Sequence, residues 1–204
     1  MTEKAPRKPE ELPHELREAV PEWEDGYIDR VAHRLVYSYD LEKEYRAGGY
    51  RWDLYGEMRV VTQKQFFHPA LSYADHEAEE YLFARREPRP TVADLERLVE
   101  FGHDVADERI VPDEEHFGTD VSIVLIADDL SAAVREYVSG FRDRTLLKFG
   151  YYGHYDVNLV VVVPEDETHV ASEVADVAEA FVLWENVSKP DEGVLSRFAK
   201  RFWR

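Results

Sequence analysis

The chain has 204 residues, with 43 acidic against 25 basic side chains, a formal net charge of −18 at neutral pH and no cysteine. The lack of cysteine excludes disulfides, thiolate zinc sites, iron–sulfur clusters and cysteine nucleophiles, and no apolar run reaches the ~20 residues of a membrane span. The acidic balance disfavours nucleic-acid binding by the body of the protein, because phosphate contacts need cations.

In chain order, residues 1–12 (MTEKAPRKPEEL) read as a disordered N-terminal tail. They carry no apolar h-region, so a cytoplasmic location is expected. Leu12, Leu16, Ala19, Val20 and Trp23 recur at near-helical spacing, and a second helical stretch runs from Trp23 to about His33. Leu35, Tyr37, Tyr39 and Leu41 then alternate with Val36, Ser38, Asp40 and Glu42. After Gly48-Gly49, the residues Tyr50, Trp52, Leu54 and Met58 alternate with Arg51, Asp53, Tyr55 and Glu57. Period two on both sides of a Gly-Gly turn predicts a long β-hairpin. Residues 71–86 read as a helix, as do residues 91–106, where Thr91 is placed to cap a stripe of Val92, Leu95, Leu98, Val99 and Val105.

Residues 107–119 read as a polar loop. Val121 to Ala127 is a β-branched apolar run, read as a buried strand, and Asp128-Asp129 would end it and cap a helix over about 130–141. Strands follow at 144–151 and 155–163 around Gly150-Tyr151-Tyr152-Gly153, then a helix over 168–184 and a last helix from Asp191 to Arg204. The expected fold class is α+β (mixed α/β): one mixed sheet of about five strands, including the long N-terminal β-hairpin, covered by helices. Residues 13–188 form the expected globular domain, with a split near residue 112 as the alternative. Residues 189–204 form a basic amphipathic C-terminal helix.

Several clusters could carry chemistry. Asp128 and Asp129 follow a buried strand at the edge where open α/β sheets bind ligands, and adjacent carboxylates there could hold Mg²⁺. Glu165, Asp166 and Glu167 follow the Val-rich strand in the same way. A right-handed crossover through the 130–141 helix would make strands 121–127 and 144–151 parallel, which puts the two acidic clusters at opposite edges. His76 with Glu79 or Glu80 has i, i+3 and i+4 spacing, so one helical face could present imidazole and carboxylate to a divalent metal. His103 with Asp107 repeats the relation. His154 and Asp156 flank Tyr155 on a strand and share a face, as a general base and its orienting acid would. The sequence has no phosphate-cradling loop, no G-x-S-x-G and no zinc-finger or helix-turn-helix signature.

Two resemblances follow. The hairpin acids Asp40, Glu42, Glu44, Asp53 and Glu57 are similar to the metal-binding strands of restriction-endonuclease-like nucleases, although Glu57-Met58-Arg59 stands where those enzymes have Glu-x-Lys. By composition, with arginine outnumbering lysine 18 to 7, the chain resembles cytosolic proteins of salt-in halophilic archaea. That resemblance implies a surface of acids solvated by monovalent counter-ions.

The strongest composition shift is at the end. Residues 101–184 carry 18 acids and 5 bases, whereas the last 20 residues are net positive, with Lys189, Arg197, Lys200, Arg201 and Arg204. On a helix Leu195, Phe198, Ala199 and Phe202 line one face, flanked by Trp203. Phe198, Phe202, Trp203, Arg197 and Arg201 are the residue types enriched at interface hot spots, so a protein partner is expected through this segment. The reading from sequence is a protein-interaction or scaffold module without catalytic activity. The alternative is a divalent-metal-dependent, nuclease-like hydrolase working through carboxylates such as Asp53, Glu57, Asp128 and Asp129.

Overall fold

The structure is a computed structural model that describes residues 21–63, 75–114 and 116–185. Its elements are α1 (Gly26–Leu35), β1 (Asp40–Ala47), β2 (Tyr50–Gln63), β3 (Asp75–Arg86), α2 (Val92–Arg109), β4 (His116–Ile126), α3 (Ala132–Gly140), β5 (Asp143–Leu146), β6 (His154–Val163), β7 (Thr168–Ala171) and α4 (Ala178–Phe181). Seven strands form one mixed sheet in the order β1-β2-β3-β4-β6-β5, with β7 also pairing β6. β3 and β4 pair directly, so the sheet joins the chain on either side of residue 112.

The hairpin forms where period two places it, although its first strand begins at Asp40 because Leu35 closes α1. Gly48 and Gly49 take φ of 58° and 77°. Two positive φ values in a two-residue loop are what the twist of a tight hairpin requires. The Asp25 carboxylate starts α1 by accepting from the backbone N–H groups of Tyr27 (2.9 Å) and Ile28 (3.2 Å). Thr91 caps α2 in a capping box with Asp94.

Four expectations are corrected. Residues 75–86 are a strand, not a helix. This segment lies between β2 and β4, so its ladder hydrogen bonds and the burial of both faces outweigh the helix propensity of its Ala, Glu, Leu and Arg residues. Residues 168–184 are the short strand β7 and the single-turn helix α4, because Thr168–Ala171 completes the edge of β6. Helix α3 starts at Ala132 and is capped by Ser131, whose hydroxyl accepts from the Val134 N–H (3.3 Å), so Asp128 and Asp129 are not its caps. Lastly, β6 runs parallel to β4, and β5 is antiparallel to β6 at the outer edge. The helix after β4 leads past the neighbouring position, which β6 then fills. The expected tail at 1–12 and the helix at 191–204 lie outside the described residues.

Alternation splits the core between the two faces. One face packs Phe83, Val121, Ile123, Leu125, Leu159 and Val161 against Leu95, Leu98 and Phe101 of α2 and Val134 and Val138 of α3. A Cβ at Gly102 would meet Val157 Cγ1 at 2.8 Å, so α2 sits directly on β6. The other face packs Leu54, Met58, Leu82, Val124, Ile126, Val160 and Val162 against Ile28, Val31 and Leu35 of α1 and Phe181 of α4. Each such side chain contributes roughly 1.5–3 kcal/mol through burial. Among the described residues no helix is long and apolar enough to cross a membrane.

Candidate interaction site

On the α1 face the apolar lining is interrupted by a row of carboxylates. Glu80 of β3 stands opposite Asp120 of β4, and Asp120 opposite Asp156 of β6. In-register neighbours point to the same side of a sheet, so three acids lie side by side, each 2% exposed. Glu80 accepts hydrogen bonds from the Tyr39 hydroxyl (2.7 Å) and the Ser122 hydroxyl (2.6 Å). Burial first, and then the Glu80 charge, push the Tyr39 hydroxyl well above its ordinary range. Arg144 of β5 grips Asp156 with two bonds of 2.8 Å. That hydrogen-bonded pair raises the Arg144 guanidinium further. Buried charges cost several kcal/mol each unless matched in this way.

The Arg144–Asp156 clamp closes the base of the β5–β6 hairpin, whose loop is the most exposed apolar feature described. Phe149 is 96% exposed, Tyr151 86% and Leu146 60%. Large aromatic side chains on a surface ordinarily bury part of their area, because leaving it in water is costly. Lys148, Phe149 and Gly150 hold positive φ in succession (46°, 60° and 89°). Left-handed backbone costs a non-glycine residue about 1–2 kcal/mol, so the surroundings must enforce it. They do so through bonds from Leu147 N–H to Gly153 O (3.0 Å), Tyr151 N–H to Lys148 O (3.2 Å) and Tyr152 N–H to Leu147 O (3.3 Å). His116 Nδ1–H donates to the Tyr152 carbonyl (2.7 Å), while its Nε2 meets the Thr119 hydroxyl (2.9 Å). Gly153, at φ 73°, lies so close to β4 that a Cβ would stand 2.1 Å from the Phe117 carbonyl oxygen. The loop is fixed at its base and bare at its tip.

A second feature lies at the far end of β6. Because β3, β4 and β6 are parallel, their carboxyl ends share one edge. The two acidic clusters expected at opposite edges therefore meet around an open cleft of about 400 Å³ lined by Arg30, Arg86, Asp128, Glu165 and Glu167. Arg86 also pairs with Asp25. The hydrogen bond from Arg86 holds the Asp25 carboxyl below its ordinary range, and the same bond raises the Arg86 guanidinium. The cleft is a surface of mixed charge.

The residues expected to hold a metal do not converge. Glu80 sits in the mid-sheet row, Asp128 lines the cleft and Asp129 is exposed at the strand end. His76 lies opposite Thr62 near the start of β3. Four residues along a strand span about 13 Å, so the i, i+4 neighbourhood of His76 and Glu80 on a helix does not exist. Among the described residues no group of three or more histidine, aspartate and glutamate side chains is arranged to hold a metal ion. The Asp53 carboxylate accepts from the Arg86 backbone N–H (2.7 Å), and Glu57 accepts from the Tyr55 hydroxyl (3.1 Å). His103 pairs with Asp143 (3.1 Å) and the Tyr155 hydroxyl (2.9 Å) rather than with Asp107. His154 and Asp156 do share a face, at 3.7 Å, with Asp156 already clamped by Arg144. Phe198, Phe202, Trp203, Arg197 and Arg201 lie outside the described residues.

Sequence reasoning overlooked the in-register row and the exposed loop aromatics. The available signals were single acids inside apolar strands (Asp120, Asp156) and aromatics set around a turn glycine (Phe149 before Gly150, Tyr151 and Tyr152 after it). A family model described as a domain of unknown function, DUF8052, matches residues 24–183. No curated protein and no solved structure matches the chain.

Proposed function

We propose that this chain, which belongs to the DUF8052 family, is a protein-interaction module that binds its partner through the β5–β6 loop. One observation carries the reading: Phe149 and Tyr151 are almost wholly exposed on a loop whose backbone is already fixed. Aromatic side chains supply much of the energy at interface hot spots. A fixed loop has little ordering entropy left to lose on binding, which favours affinity. Lys148 adjoins Phe149 in the loop, so the matching partner surface is an apolar pocket with an acidic or polar rim. The acidic remainder of the chain then serves solvation, consistent with a halophile-like surface in the cytoplasm.

The test is photo-crosslinking in cells from a benzophenone-bearing residue placed at Phe149 or, as a control, at Tyr37, which is also exposed. A discrete crosslinked species from position 149, lost on Tyr151→Ala and not formed from position 37, is the expected result. The same pattern from both positions, or no product from position 149, contradicts the reading.

A further inference from the structure

We propose that the α1 face of the sheet holds a buried site for a hard metal cation, built by Asp120 and Ser122 of β4 with Asp156 and Asn158 of β6. The two strands carry the same short pattern, Asp120-Val121-Ser122-Ile123-Val124 on β4 and Asp156-Val157-Asn158-Leu159-Val160 on β6. The sheet aligns the two residue for residue, with Asp120 opposite Asp156 and Ser122 opposite Asn158. Val121, Ile123, Val157 and Leu159 pack on the α2 side, so the four polar residues share the other face. They stand at the corners of a rectangle about 4.8 Å across the strands and about 6.6 Å along them. All four are buried, Asn158 to 1% exposure.

Each corner offers an oxygen acceptor. Ser122 gives its proton to Glu80 (2.6 Å), which leaves its own oxygen to accept. Arg144 holds Asp156 from β5, the side away from β4, and a carboxylate keeps lone pairs beyond those two bonds. Asn158 Oδ1 is shielded from solvent and, among the described residues, accepts no hydrogen bond. Folded proteins rarely bury an acceptor in this way, so the amide oxygen points to a ligand. Carboxylate, hydroxyl and amide oxygens, without nitrogen or sulfur, form the donor set of a hard cation rather than of zinc or copper. Two of the four corners are neutral, which distinguishes the site from a cluster of ionisable ligands. Burial first, then Glu80 and Asp120, raise the Tyr39 hydroxyl, so the surroundings favour positive charge. Because Asp156 also holds Arg144, a cation here would tie β4 and β6 to the strand that fixes the exposed loop.

The full chain, stripped of metal by dialysis against a chelator, is melted in tetramethylammonium chloride and then, at the same ionic strength, with NaCl, KCl, MgCl₂ or CaCl₂. A cation bound only by the folded chain raises the melting midpoint by mass action. At least one of the four metals should raise it saturably beyond the tetramethylammonium value, and the one that does names the ion. Asn158→Leu should remove that increment, whereas Asp166→Asn, at an exposed acid elsewhere, should keep it. Asn158→Asp, which sets a charged oxygen at the same corner, should lower the half-saturating concentration several-fold. The side-chain amide resonances of Asn158 in the parent should shift over the same concentration range. Should Asn158→Leu not fold, the amide shifts and Asn158→Asp decide. Equal midpoints with and without metal mean a bound water only and overturn the site. So does an increment that survives Asn158→Leu, which is diffuse screening, or an Asn158→Asp chain that is destabilised in every salt.

Discussion

The two faces of this sheet use the same alternating strands and treat polar groups in opposite ways. Under α2 and α3 the lining is apolar and aromatic, with Phe83 and Phe101 in edge-to-face contact at 5.0 Å and Trp52 beside both. Under α1 the apolar lining gives way at mid-strand to Glu80, Asp120 and Asp156. The first face holds the layers together by area. The second uses fixed charge to set the position of β5, and through β5 the loop that exposes Phe149. Packing specifies that the layers meet; the polar row specifies where one edge of the sheet must lie.

The comparison can be broken from either side. Phe83→Ala, on the apolar face, should cost about 3–5 kcal/mol through lost burial and a residual cavity, read as a lower denaturation midpoint with the β5–β6 loop still protected from hydrogen exchange up to global unfolding. Gly153→Ala should cost about 2–4 kcal/mol, because it combines a positive φ with a backbone clash against Phe117; its exchange profile should show the loop opening before the core. Arg144→Met should cost about 2 kcal/mol, the scale of a charge-assisted hydrogen-bonded contact, with the largest chemical-shift changes in β5 and the loop rather than in α2. A loss spread evenly over both faces would blur the distinction drawn here.

The smallest effect concerns pH. The Arg86 hydrogen bond depresses the folded-state titration of Asp25 below 3.8. A depressed carboxyl contributes stability that is present above the unfolded value and lost as pH falls through the folded one. Asp25→Asn keeps a capping side chain and removes the charge. It should cost under about 1 kcal/mol at pH 7, given partial exposure of the pair, and should flatten the fall in stability below about pH 4. A variant that tracks the parent at every pH would remove Asp25 from the acid response.

Much of the architecture was legible where one local rule acts alone. Gly48-Gly49 between period-two runs gave the hairpin, and Thr91 before a heptad-like stripe gave α2. Legibility failed where tertiary neighbours decide. Asp75–Arg86 has a helix-forming composition, and only its place between two strands makes it β3. The direction of β6 could not be read because a right-handed crossover constrains parallel neighbours, and β5 is not a neighbour of β4. Asp120 and Asp156 become one site only through the β4–β6 register. Tyr151 was legible in a turn, whereas Phe149 falls in the strand expected over 144–151, which in fact ends at Leu146. Neither was legible as a surface, because residue type alone assigns aromatics to the core.

The central claim is that the exposed aromatic loop is built before any partner arrives. Backbone ¹⁵N relaxation on the free chain measures this directly. Order parameters near about 0.85 for Lys148, Phe149 and Gly150, matching those of β6, are the expected result. Values below about 0.6 for these residues would mean that the loop is loose until bound, and would contradict the account.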